Sequence, residues 1–121
     1  MGAIDFQCIS EGRNVQEAFL LAVEDAYYWH GHSGYTGTIC EKPGYIVLDL
    51  GEKISRSDAE RINDGLRMGW SDIPVPEDVV EIIGSEERAK EFADAYNDKW
   101  GDAVAMQLVD NSWYFCGLAS E

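Results

Sequence analysis

Val15, Phe19, Ala22, Val23, Ala26, Tyr27 and His30 recur at spacings of three and four, so they share one side of an α-helix. This stripe constrains the chain more than any other feature. Asn14 stands where a helix needs an N-cap, with a side-chain oxygen ready for a first-turn N–H. Glu17, three residues on, fits the return half of a capping box. Gly31 follows the last residue of the stripe, where a left-handed residue ends a helix. The pattern predicts a helix over about 15–29 that packs on a sheet. The stripe runs to His30, which places that histidine toward the core or its edge.

The segments around this helix read as strands and further helices. Ala3–Ser10 alternates, with Ile4, Phe6 and Cys8 on one face and Asp5 and Gln7 on the other. Thr38–Glu41 and Tyr45–Leu50 read as two strands of a hairpin, joined by the turn residues Lys42, Pro43 and Gly44. Ser57 and Glu60 form a second capping box before a helix over about 58–69, whose face is Ala59, Ile62, Leu66 and Trp70. Pro76 at a first helical position and Gly84 past the end bracket a short helix, against a competing strand over Val79–Ile83. Ser85 caps a helix over about 86–99 with the apolar face Ala89, Phe92, Ala93, Tyr96 and Trp100. Ala103–Val109 and Trp113–Ala119, joined by Asp110-Asn111-Ser112, read as a closing hairpin.

The order is thus β-α-β-β-α-(α)-α-β-β. It predicts an α+β fold, with an antiparallel or mixed sheet of about five strands and helices packed mainly on one face. At 121 residues the chain is expected to be a single domain, 1–121. A chain of that length buries roughly 65% of its unfolded surface and needs no staples. Three cysteines, odd in number and without metal-ligand spacing, read as reduced and packed thiols. With no signal peptide and no apolar run of membrane-spanning length, the expected location is the cytoplasm of a host cell.

The net charge of −14 disfavours direct binding to nucleic acid or to an anionic membrane. It favours a partner with a basic surface. The surplus is uneven: from Asp72 to Glu87 there are six acids and no base, namely Asp72, Glu77, Asp78, Glu81, Glu86 and Glu87. These are the candidate partner-binding residues. One reading is a surface that imitates nucleic-acid phosphates and occupies a basic groove. The other is a solvated helix face.

The loop after the first helix, GHSGYTG at 31–37, is the second candidate site. Its glycines recur every third residue and permit positive φ. Around it, His30, His32, Tyr35, Thr36 and Thr38 are the candidates for a small-molecule pocket, with Trp29 able to close it. A metal site is not predicted, because His30 and His32 lack a third ligand at a recognised spacing. A phosphate cradle is disfavoured as well, because the loop follows a helix C-terminus rather than leading into an N-terminus. No serine or cysteine has a nucleophile's local context, so no catalytic residue and no cofactor are assigned.

Glu17–Lys42 (EAFLLAVEDAYYWHGHSGYTGTICEK) and, more weakly, Asn97–Ser120 (NDKWGDAVAMQLVDNSWYFCGLAS) resemble a small uncharacterised family of phage-borne and bacterial proteins. The shared pattern is close to GHxGYTGTIxEK. The resemblance implies a phage or mobile-element setting and no chemistry. The functional expectation is therefore a small, acidic, non-enzymatic phage-type protein. It binds and inhibits a host factor, such as a nucleic-acid-handling defence enzyme of the CRISPR kind. The alternatives are a nucleotide-signal binder or hydrolase at the GHSGYTGT loop, and a structural or self-assembling subunit.

Overall fold

The structure, a computed structural model, describes residues 2–31, 34, 36–69 and 73–121. Four strands form one mixed sheet: β1 (Ala3–Ser10), β2 (Tyr45–Val47), β3 (Ala103–Gln107) and β4 (Trp113–Ser120). Their spatial order is β1-β4-β3-β2, with β4 antiparallel to both neighbours and β2 parallel to β3. The helices are α1 (Val15–His30), α2 (Arg56–Met68), α3 (Glu77–Ile83) and α4 (Glu86–Tyr96). The expected α+β class and mixed sheet are present. The sheet has four strands among the described residues rather than five, and the order is β-α-β-α-α-α-β-β.

The missing strand belongs to the first expected hairpin. The Thr38 hydroxyl accepts the Cys40 N–H at 3.3 Å, and Ile39–Glu41 closes into a single 3-10 turn. A side chain that bonds nearby backbone offers the chain an alternative to a sheet ladder, and here that alternative wins. The chain then runs inward through Lys42 to β2, which aligns Tyr45, Ile46 and Val47 with Ala103, Val104 and Ala105. Beyond β2, the Leu48 N–H donates to the Ala105 carbonyl at 2.9 Å, and Ile54 makes a bridge to Leu108.

The sheet is covered on both faces. Alternation along β3 and β4 sends Val104, Met106, Tyr114 and Cys116 to one side, where Ile62, Leu66, Val79, Ile83, Phe92 and Tyr96 of the last three helices meet them. Ala103, Ala105, Phe115 and Ala119 point to the other side, against Phe19, Ala18 and Ala22 of α1 and Phe6 of β1. The alanines leave room for the Phe19 ring, which lies 5.1 Å from Tyr45 and 5.7 Å, edge on, from Phe115. Burying a ring of this kind contributes about 2 kcal/mol or more. On the other side α2 and α3 touch closely at Gly65, where a Cβ would lie 2.4 Å from Val79 Cγ2.

Helix boundaries follow the caps, with two shifts. Asn14 accepts the Glu17 N–H at 2.9 Å as expected. Glu17 reaches back to the N–H (3.2 Å) and guanidinium (2.9 Å) of Arg13 rather than to Asn14. The cap of α2 is Ser55, not Ser57: its hydroxyl accepts the Asp58 N–H at 3.1 Å. The bridge at Ile54 anchors the residue before Ser55, so the helix starts earlier than its sequence signal. Ser85 caps α4, accepting the Arg88 N–H at 3.2 Å. Between them Val79 and Ile83 pack as a helical pair, and Gly84 ends α3 at φ 85°. α4 stops at Tyr96, where the Asn97 amide donates to the carbonyls of Leu66 and Ala93, each at 2.9 Å. Trp100, expected on the apolar face of α4, is exposed beyond its end. Trp70 lies outside the described residues.

A polar relay crosses the interior under β1. The Tyr96 hydroxyl donates to Asn63 Oδ1 at 2.7 Å, and the Asn63 amide donates to Gln7 Oε1 at 3.2 Å. The Tyr114 hydroxyl donates to the same Gln7 oxygen at 2.6 Å. The relay ties β1 and β4 to α2 and α4, and leaves the buried tyrosines and Asn63 with partners.

Candidate functional site

The described end of the glycine loop is tied down by its own polar groups. The Thr36 N–H and hydroxyl both donate to Glu41 Oε2, at 3.1 and 2.7 Å, and the Thr36 and Thr38 hydroxyl oxygens are 2.8 Å apart. With Thr38 also accepting the Cys40 N–H, both hydroxyls hold the 3-10 turn in place. The Gly37 N–H donates to the Ser120 carbonyl at 2.8 Å and pins the loop to the end of β4. Gly37 sits at φ 70°, and a Cβ there would meet Ile4 Cγ2 at 2.7 Å, so both backbone and space require glycine. His32 and Tyr35 lie outside the described residues.

His30 is the last residue of α1 and is exposed, not turned to the core. Burial along α1 centres on Ala18, Phe19 and Ala22, and Tyr28, Trp29 and His30 are all exposed, so the helix outruns the sheet it covers. His30 and Thr38 do share one feature, an open groove of about 450 Å³ between β1 and α1 that also takes in Cys8, Leu21, Asp25 and Trp29. Burial, aided by the Asp25 carboxylate, pushes the Cys8 thiol up to about 12. That thiol keeps its proton near neutrality and is no nucleophile for His30 to activate. No three His, Cys, Asp or Glu side chains converge on a common point among the described residues.

Of the acidic candidates, Asp72 lies outside the described residues. Glu77 and Asp78 occupy the first turn of α3 with Glu81 following, and Glu86 and Glu87 occupy the first turn of α4. Carboxylates in a first turn meet the positive end of the helix dipole, which offsets part of their mutual repulsion. All five are exposed, and none makes an ion pair among the described residues. Three nearby bases are engaged elsewhere, Arg56 with Glu60, Arg67 with Asp5 and Asp64, and Lys90 with Asp94, while Arg61 lies beside Asp78. Arg88 turns away and donates to the Asp49 carbonyl at 2.8 Å. Asp78 shares a shallow depression of about 380 Å³ with Glu60, Arg61 and Asp64. Glu86 and Glu87 share another of about 470 Å³ with Pro74, Val80 and Lys90. The helical layer therefore presents a net negative outer surface.

The sequence reading missed two features. Lys42, read as part of a solvent turn, is only 5% exposed. Its amine donates to the Asp98 carbonyl at 3.1 Å and is drawn down to about 8 by burial, against the pull of Asp98 and Asp102. Nothing near Lys42 in sequence signals this, because the residues that bury it come from the far end of the chain. The groove beside α1 did leave a signal. Leu20, Leu21, Tyr28 and Trp29 lie off the buried stripe and give α1 more apolar residues than one face can use.

No family model, curated protein or solved structure matches the chain.

Proposed function

We propose that this chain is an acidic binding protein that docks the outer surface of its α2–α4 layer on a basic surface of a host protein and blocks it. The observation that supports this reading is the set Glu77, Asp78, Glu81, Glu86 and Glu87: five exposed carboxylates on consecutive helices, without ion pairs among the described residues. Carboxylates held on packed helices keep their spacing when a partner arrives, so little ordering is needed on binding. With a net charge of −14, long-range attraction speeds encounter with a cationic groove and repels nucleic acid itself. A groove that normally holds phosphates is the surface such a layer fits best. In the phage setting implied by the resemblance, the partner is a nucleic-acid-handling defence enzyme.

The small-molecule reading at His30, His32, Tyr35, Thr36 and Thr38 draws less support, because Thr36 and Thr38 direct their hydroxyls to Glu41 and to each other. The test is charge reversal, with all five acids changed to lysine. Four of the five lie in first turns, where a lysine opposes the helix dipole at a cost of roughly 0.3–1 kcal/mol each, so a thermal melt first establishes that the reversed chain is folded. The wild-type chain captures a basic nucleic-acid enzyme from host lysate in a salt-sensitive manner and inhibits it, and the reversed chain does neither. Equal inhibition by the reversed chain, or capture of no basic protein by the wild type, refutes the proposal.

A further inference from the structure

β1 is an outer strand of the sheet, eight residues long, against three for β2 at the opposite edge. Its phase follows from the Gly2 carbonyl, which accepts the Glu121 N–H at 3.2 Å in register with the β1–β4 pairing. Even-numbered residues of β1 thus bond β4, and the N–H and C=O groups of Ala3, Asp5, Gln7 and Ile9 point outward. They have no backbone partner among the described residues. Proteins blunt such edges with lysine, proline, a bulge or a covering element. β1 has neither lysine nor proline, and its register with β4 is unbroken from Ala3 to Ser10.

Beside this edge lies the groove of about 450 Å³ whose far wall is α1. Leu21 and Trp29 stand on that wall 46% and 70% exposed, Trp29 with its ring edge-on to Tyr28 at 5.1 Å. The groove holds the carboxylates of Glu11 and Asp25, and among the described residues no lysine or arginine lines it. An open strand edge with a helix-walled groove alongside suits an extended peptide: the edge supplies backbone bonds, and alternate side chains drop into the groove.

We propose that the β1 edge and the α1 groove together take up an extended segment of a partner protein as an added strand, with apolar residues facing Leu21 and Trp29 and basic residues facing Asp25 and Glu11. Charge selects this occupant over a second copy. A second copy docking by its own β1 would bring together two chains of net charge −14 and would face Asp25 and Glu11 with a strand that carries no basic residue. This surface is separate from the carboxylates of α3 and α4, so each proposal can fail alone.

The test uses the intact chain and a fluorescent decapeptide whose groove-facing alternate positions are valine and lysine in turn, with threonine at the positions between. Ile9→Pro removes an outward N–H and no bond to β4, and Ile9→Ala is the side-chain control that keeps it. Saturable binding is expected, weakened roughly tenfold or more by Ile9→Pro and by Asp25→Lys and far less by Ile9→Ala. Amide hydrogen exchange then shows new protection at Asp5, Gln7 and Ile9, whereas the even-numbered amides are protected before the peptide is added. Should Ile9→Pro unfold the chain, Asp25→Lys with the exchange pattern still decides. The proposal is overturned if the peptide fails to bind, or if no protection appears along β1. It is equally overturned if the peptide protects only α3 and α4, or if the chain alone dimerises with those same β1 amides protected.

Discussion

Replacing Lys42 by methionine removes a buried amine while keeping most of its length. In the folded chain burial lowers that amine from its ordinary 10.5 to about 8, and the Asp98 and Asp102 carboxylates offset only part of the effect. Between those two pH values the unfolded chain holds a proton that the folded chain has released. Stability from this group therefore rises with pH across the window, and the full penalty applies below it. Integrating between pH 7 and pH 10 gives about 2–3 kcal/mol. The variant lacks this dependence. Urea unfolding of both proteins under reducing conditions should show the methionine variant's relative stability falling by about that amount from pH 7 to pH 10. The buried Cys8, Cys116, Tyr96 and Tyr114 all have raised values and weaken the fold at alkaline pH, but they do so in both proteins and largely cancel in the difference. A difference that stays constant to within about 0.5 kcal/mol would mean that Lys42 is solvated and that its assigned place beside Asp98 is wrong.

Tyr96→Phe leaves the buried Asn63 Oδ1 without its donor at 2.7 Å and should cost about 1–3 kcal/mol in urea unfolding. Tyr114→Phe should cost less, because its partner Gln7 is exposed and water can replace the hydroxyl; the opposite ranking would contradict the relay. Ser55→Ala should destabilise the chain by about 1 kcal/mol and Ser57→Ala by no more than a few tenths, measured by thermal unfolding; equal losses would return the cap to Ser57.

The helices were legible because their signals are local. The Asn14 and Ser85 caps, the stops at Gly31 and Gly84 and the stripe through Phe19 and Ala22 involve residues no more than a few turns apart. Where a contact from outside the segment competed, the reading slipped: the bridge from Ile54 to Leu108 moved the start of α2 to Ser55. The acidic candidates on α4 were legible for the same reason. For Val79–Ile83 the sequence left helix and strand open, and the folded chain makes it a helix with Val79 and Ile83 inside and Glu77, Asp78 and Glu81 outside.

Period-two alternation marks a strand and its faces without naming its neighbour, so a hairpin was the expected partner for Tyr45–Leu50. In the folded chain β2 instead lies parallel to β3, whose residues are 58 positions further on (Tyr45 beside Ala103). That pairing depends on the Thr36–Glu41 and Thr38–Cys40 bonds closing the turn and on helices filling both faces of the sheet. The same long-range packing buries Lys42, leaves His30 in solvent and opens the β1 edge beside α1. Sequence alone determined the presence of α1, α2 and α4 and the centre of each apolar face, because neighbours along the chain carry those energies. Which strands meet, and which polar groups end up inside, is decided by residues brought together only on folding.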